Sequence, residues 1–248
     1  MSSLPLPEAV MLLPKTFSTP ADLDNVVSRY KDLRLQALWS DPNSFSSTYE
    51  RESRFTFDTW RSRIQNPVAK TFVAVIDGDE KIPGKATCLN SGRIEHMIHG
   101  DLSKLLQSEW VGTVKLLGPE IWSKEGVDAT HRPWDLFTTS KDTTQMALKS
   151  SEYSAADLVY LVVGMFVSPH ARRNGYGQQL IEAAVAHVRQ EAKYLKASTA
   201  SIFLQSTYSD TSARLFYQQM GFEVREEVMM DLSPYTAMAR DISPQMTE

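Results

Sequence analysis

The stretch from Leu158 to Gln190 constrains this chain's fold more than any other. It opens with Leu158-Val-Tyr-Leu-Val-Val-Gly-Met-Phe-Val167, an apolar run rich in β-branched residues that reads as a buried strand. Ser168 and Pro169 end it. From Gln178 onward, Leu180, Ile181, Ala184, Val185 and Val188 share one helical face, with Gln178, Gln179, Glu182 and Arg189 outside. Between strand and helix lies Arg172-Arg-Asn-Gly-Tyr-Gly177, a basic turn punctuated by glycine.

Such a turn suits an anion. Gly175 and Gly177 allow unusual backbone angles and keep side chains out of a ligand's way. The first N–H groups of the helix lack intrahelical acceptors, and the helix dipole adds partial positive charge. Arg172 and Arg173 add two full charges. The turn therefore reads as a pyrophosphate site. It lacks the Gly-Lys-Ser/Thr ending of a Walker loop and the three spaced glycines of a dinucleotide fingerprint.

The pattern Arg172-x-x-Gly175-x-Gly177, after the strand end Val167-x-Pro169, resembles the GNAT superfamily of acetyl-CoA-dependent N-acyltransferases. A second segment, Asp210-Thr-Ser-Ala213-Arg-Leu-Phe216-Tyr217-Gln-Gln-Met-Gly221-Phe222, is similar to that family's short helix ending in Gly-Phe. The resemblance covers about Leu158 to Phe222. It implies a mixed α/β fold with a twisted, mostly antiparallel sheet, a central splayed strand pair and helices on both faces. It also implies acetyl-CoA as co-substrate and N-acetyltransferase activity toward a primary amine.

The resemblance assigns roles residue by residue. The end of the central strand, Met165, Phe166 and Val167, would bond the pantetheine arm. The turn Arg172, Arg173, Asn174, Gly175, Tyr176, Gly177 and Gln178 would hold the pyrophosphate. Tyr217 matches the position that protonates the departing thiolate, and a phenol near its usual pKa of ~10 keeps its proton at pH 7. Asp210 stands where the family commonly has an Asn bound to pantetheine or to the helix start. As a carboxylate it can cap the helix but cannot donate to the cofactor. The family often places a Glu on the central strand as base, and this strand has none. Asp157, Glu109, and Tyr160 through a water are the candidates, and an acceptor amine of low pKa needs no strong base. Gln205 stands where some relatives carry a catalytic Glu.

The rest of the chain fits around this centre. Val10 to Leu13 is expected as a first strand. Thr19 caps a helix opened by Pro20 and stopped at Asp41-Pro42. Phe45 to Glu50 reads as a polar and aromatic loop, and Thr56 to Gln65 as a second helix. Two such helices form part of the acceptor wall in the resembled family, so Phe45, Tyr49 and Trp60 read either as core or as substrate contacts. Thr71 to Ile76 and Glu109 to Leu117 are strands, the second ending at Gly118-Pro119. Ala200 to Gln205, then Phe222 to Met230 and Tyr235 to Arg240, complete the sheet.

The 248 residues are read as a single domain, 1–248, with insertions at about 79–108 and 120–157. The first carries a short helix near Leu102 to Leu106, and its His96 and His99 read as solvated loop rather than metal ligands. The second, with Trp122, Trp134 and Phe137, reads as a wall over the acceptor site. The net charge of −4 speaks against nucleic acid. Cys88 is the sole cysteine, which excludes an internal disulfide and fits a reducing compartment. Neither a secretory signal nor an apolar run of ~20 residues is evident, so a cytoplasmic or nuclear protein is expected, off the membrane, as monomer or homodimer. The acceptor is expected to be a small molecule. A protein N-terminal acetyltransferase, a module that binds acyl-CoA without turnover, and a nucleotide-binding regulator stay open beside it.

Overall fold

The central strand, β4 (Asp157–Val167), lies in the middle of a seven-stranded sheet of order β1-β2-β3-β4-β5-β7-β6. The other strands are β1 (Val10–Leu12), β2 (Ala69–Ile76), β3 (Glu109–Trp122), β5 (Thr199–Thr207), β6 (Glu223–Met230) and β7 (Ser233–Ile242). The helices are α1 (Pro20–Ser40), α2 (Tyr49–Glu52), α3 (Phe57–Gln65), α4 (Leu102–Gln107), α5 (Tyr176–Tyr194) and α6 (Thr211–Gln219). This is a computed structural model, and it describes residues 10–76, 102–122, 132–137, 153–230 and 233–243. The chain divides into two compact units. One is Met1–Lys115 with Gly164–Ala184, the other Leu116–Val163 with Val185–Glu248.

In the first unit, β1 pairs antiparallel with β2, Val10 opposite Ala74 and Leu12 opposite Phe72. Helix α1 starts as its sequence requires: the Thr19 side chain accepts from the Asp22 N–H at 3.2 Å, and Pro20 takes the first position. Its buried face, Val26, Val27, Tyr30, Leu33 and Ala37, packs with Trp60, Ile64, Val73, Leu105 and Phe166. Trp60 is core and not a substrate contact: it is fully buried, with Tyr30 and Phe55 rings against it at 6.1 and 5.8 Å.

Two expectations change here. The loop expected over Phe45 to Glu50 ends at Thr48, which caps α2 by accepting from the Arg51 N–H at 3.2 Å. The first insertion does not reach Ser108. Leu105 is fully buried in the core, the Trp110 Nε1–H donates to the Leu105 carbonyl at 2.8 Å, and Arg29 donates to the carbonyls of Leu106 and Ser108. Helix α4 thus belongs to the packed unit, because its leucines have an apolar face to fill. His96 and His99 lie outside the described residues.

Strand β3 runs on past Gly118-Pro119 to Trp122. Gly118 sits at φ +116°, where a Cβ would come within 2.9 Å of the Val159 carbonyl oxygen, so the pair bends the strand without stopping it. Residues 120–122 are therefore sheet. Trp122, Leu136 and Phe137 pack, partly buried, against the core of the second unit, Val159, Leu161, Phe203, Ala237 and Ala239. Trp134 lies in a short 3₁₀ turn, Pro133–Phe137, with its side chain outside the described residues.

In the second unit, β4 and β5 run parallel, from Asp157 opposite Thr199 to Val162 opposite Leu204. The ladder stops there, although β4 continues to Val167 and β5 to Thr207. Beyond Leu204, β5 is held by β7, with Gln205, Ser206 and Thr207 opposite Ala237, Thr236 and Tyr235. β6 and β7 form the expected antiparallel pair, with an irregularity between Val224 and Glu226. Helix α6 closes with two bonds, Phe222 N–H to the Tyr217 carbonyl and Gly221 N–H to the Gln218 carbonyl, both 3.0 Å. This is the Schellman arrangement, and it needs the left-handed residue that Gly221 supplies at φ +79°.

Candidate active site

The first unit contains the turn expected to hold a pyrophosphate. After β4, a 3₁₀ turn (Pro169–Ala171) leads into Arg172. The Ser168 N–H donates to the Val111 carbonyl at 2.7 Å, and the Ser168 hydroxyl meets Gln36 Oε1 at 3.2 Å. Arg173 and Gly175 both adopt left-handed backbone, at φ +66° and +83°. The Asn174 amide donates to the carbonyls of Ala171 and Arg172 at 3.2 and 3.1 Å, tightening the loop. The first helical bond of α5 is Gln179 N–H to the Gly175 carbonyl at 3.0 Å. The Gly177 N–H therefore lies in the first turn, without an intrahelical acceptor, at the positive end of a 19-residue helix dipole. Tyr176 is buried and anchors the turn from below, and Gln178 donates to Glu182 at 2.8 Å. Gln179, expected outside, is buried.

Arg172 has a job other than meeting the anion. Its Nε donates to the Val167 carbonyl at 2.9 Å, and its Nη2 pairs with Asp41 Oδ2 at 2.5 Å. Its guanidinium also lies 6.0 Å from the Phe166 ring centre. The side chain thus fixes the turn to the strand end and to the residue capping α1. The positive charge toward solvent comes from Arg173 and the helix start. His170 pairs with Glu109 at 3.2 Å, both more than half exposed, so the imidazole ties the turn to the start of β3. Met165, Phe166 and Val167 end β4, with the Phe166 ring in the core.

Phe45 and Tyr49 flank α1. The Arg34 guanidinium lies over the Phe45 ring at 4.7 Å, and Tyr49 packs edge-on against Trp39 at 5.4 Å. Arg34 and Arg63 share the Glu52 carboxylate. Arg34 donates from Nε and Nη2 at 3.1 and 2.9 Å, and Arg63 from Nη1 at 2.7 Å. Burial alone would raise the Glu52 pKa, but the two guanidinium groups outweigh it and hold the carboxyl at about 2. This cluster is absent from the sequence reading. No local spacing marks it, since its members come from three different helices.

The second unit contains the candidate acid. Tyr217 lies on the buried face of α6, against Phe216 and Phe222 at 5.2 and 5.8 Å. Burial, then the negative charge of Asp210, pushes its phenol above the ordinary tyrosine value. Asp210 caps α6, its Oδ1 accepting from the Ala213 N–H at 2.9 Å. Asp157 begins β4 and accepts from the Thr199 hydroxyl at 2.7 Å. The Tyr160 phenol is fully buried, and burial with the nearby Glu191 carboxylate raises its pKa, so it stays protonated and is a poor base even through a water. Among the described residues, no helix is long and apolar enough to cross a membrane.

Comparison with known proteins gives a consistent picture. Residues 143–224 match a family described as an acetyltransferase (GNAT) domain. No curated protein matches. Among solved structures, a GNAT-family acetyltransferase from Streptococcus pneumoniae aligns over 94% of this chain and 99% of its own, at TM-score 0.51 and 11% identity. NAA60 of Arabidopsis thaliana, in complex with a bisubstrate analogue, aligns over 94% and 99%, at TM-score 0.50 and 10% identity. At such identity these structures speak for the fold, and the matched segment contains both the glycine turn and the helix of Tyr217. The segment 143–224 is thus similar to a GNAT acetyltransferase domain, and the seven-stranded mixed sheet shares its fold with these solved acetyltransferases.

Proposed function

We propose that the protein transfers an acetyl group from acetyl-CoA directly to a primary amine of a small-molecule acceptor. The observation that carries this reading is the turn after β4. It presents Arg173, two glycines and the start of α5 while Arg172 holds it in place from behind. A pyrophosphate seated there would accept from backbone N–H groups at a helix N-terminus, as anions do. The backbone of Met165 to Val167 would bond the pantetheine arm, on the part of β4 that lies past its last parallel pair with β5.

The amine nitrogen then attacks the thioester carbonyl carbon. The C–S bond breaks, the sulfur leaves as thiolate, and the nitrogen gives up a proton. Tyr217 is the residue we assign to protonate the sulfur. Its raised pKa keeps the phenol protonated across the working range, and a positioned acid typically contributes ~10²–10⁴-fold. Glu109 and Asp157 remain the proposed bases. Glu109 is exposed beside His170, and Asp157 holds Thr199. An acceptor amine that binds already neutral would need neither.

The surface around Phe45 and Tyr49 supports a compact acceptor, since both side chains are half-buried against Arg34 and Trp39. A protein or peptide N-terminus is the second reading. A panel of amines with free-thiol detection decides between them. Turnover of small amines supports the first. Turnover confined to peptides supports the second.

A further inference from the structure

The geometry around Arg34 points to the chemistry of the acceptor, an inference that rests on the acetyl-transfer reading. We propose that Arg34 selects acceptors carrying a carboxylate next to the amine. Its guanidinium is held on two of its three nitrogens by Glu52, at 3.1 and 2.9 Å, and is covered by the Phe45 ring at 4.7 Å. The third nitrogen, Nη1, meets no acceptor among the described residues. It is aimed at β4, 3.9 Å from where a Cβ on Gly164 would stand.

Gly164 has left-handed backbone, φ +64°, and directly precedes Met165 to Val167, the residues proposed to hold the arm of the donor. Nη1 is thus placed where the acyl end of the donor and the acceptor amine would meet. Glu52 is 1% exposed, while Arg34 keeps 13% of its side-chain surface open, so the accessible member of the pair is the cation and not the carboxylate.

The charges lead the same way. Arg34 and Arg63 share one carboxylate, so the cluster has one more positive charge than negative. A planar guanidinium already locked by Glu52 loses little freedom on bonding a second carboxylate, and charge-assisted bonds are the strong ones. An acceptor without an anion gains nothing from Nη1. A polyamine brings like charge to it.

The test compares matched acceptors that differ in one group: an amino acid and its carboxamide. The carboxamide has the less basic amine, so proton availability favours it, and a preference for the acid must come from recognition. We expect kcat/KM about 10- to 100-fold higher for the acid, expressed in KM. Arg34→Lys keeps a charge beside Glu52 but loses the fork, and should erase most of that preference with acetyl-CoA affinity unchanged. Because Glu52 is buried, a second variant, Arg34→Gln with Glu52→Gln, removes the pair together; it should show the same loss, with melting curves confirming that both variants fold.

Equal kcat/KM for acid and amide, or a preference that survives Arg34→Lys, would overturn the proposal while leaving the transfer reading intact. Calorimetric titration of the CoA-loaded protein with the same two ligands separates the two ideas from the other side. Tighter binding of the acid without turnover of any amine would sink the transfer reading and uphold Arg34.

Discussion

Arg172 and Asp41 are joined at 2.5 Å across the sequence distance between the glycine turn and the end of α1. The same guanidinium bonds the last carbonyl of β4. One side chain therefore sets the turn relative to both the strand before it and the helix that flanks the proposed acceptor wall. Arg172→Ala should weaken acetyl-CoA binding about tenfold by loosening the turn, at a stability cost of about 0.5–1 kcal/mol, since the pair is partly exposed. Arg172→Lys should restore little, because lysine cannot span both acceptors. Asp41→Asn should be milder than either. Calorimetry and thermal melting check all three.

Gly177→Val should abolish acetyl-CoA binding while the protein stays folded, because the side chain would occupy the place proposed for the pyrophosphate. Unchanged affinity by calorimetry would show that the anion sits elsewhere.

Tyr217→Phe should lower turnover by ~10²–10⁴ with nearly unchanged acetyl-CoA affinity, when the chemical step is isolated by rapid quench. The phenol's folded pKa lies above its unfolded value of 10.0. Its contribution to stability is therefore complete below pH 10 and declines as the pH rises beyond it, since only the unfolded chain releases the proton. Tyr217→Phe should remove that alkaline decline from unfolding curves.

Glu52 behaves in the opposite sense. With its folded pKa lowered from 4.5 to about 2, its contribution is present above pH 4.5 and disappears as the pH falls toward 2. Glu52→Ala should cost about 3 kcal/mol at neutral pH, leaving two arginines to share no carboxylate. Denaturant titration across that acid range should show the mutant's stability less sensitive to pH than the wild type's.

Lys15 gives a third pH signature. Burial, then repulsion from Lys115 and Lys70, brings its pKa down to about 8, and the ammonium donates to the Ile64 carbonyl at 2.6 Å. The folded state gives up this proton before the unfolded one, so stability should rise between pH 8 and 10.5. Lys15→Met should flatten that rise in the same unfolding measurements.

Much of this was legible in the chain itself, where local chemistry decides the outcome. Thr19-Pro20 and Thr56 open helices as their capping chemistry demands, Gly221 ends α6, and Leu158 to Val167 forms the central strand. Two local signals misled. Gly118-Pro119 reads as a strand stop, but tertiary packing against Val159 and Tyr160 overrides it. Leu102 to Ser108 reads as the tail of an insertion, because the apolar surface that α4 fills belongs to residues far away in sequence. The candidate site divides the same way. The glycine turn and Tyr217 stand in short motifs. Asp41 with Arg172, and Glu52 between Arg34 and Arg63, join residues from separate elements, and such pairings follow no spacing rule.

β5 keeps its partner on one side through Thr207 but loses β4 after Leu204. The extended shape of Gln205 to Thr207 is consequently fixed by β7 whether or not a ligand is present. If the donor bonds β4 past that last pair, as proposed, its capture requires no prior rearrangement of Gln205 to Thr207. Stopped-flow traces of coenzyme binding should then be single-exponential, with a rate that climbs linearly with concentration and does not reach a plateau.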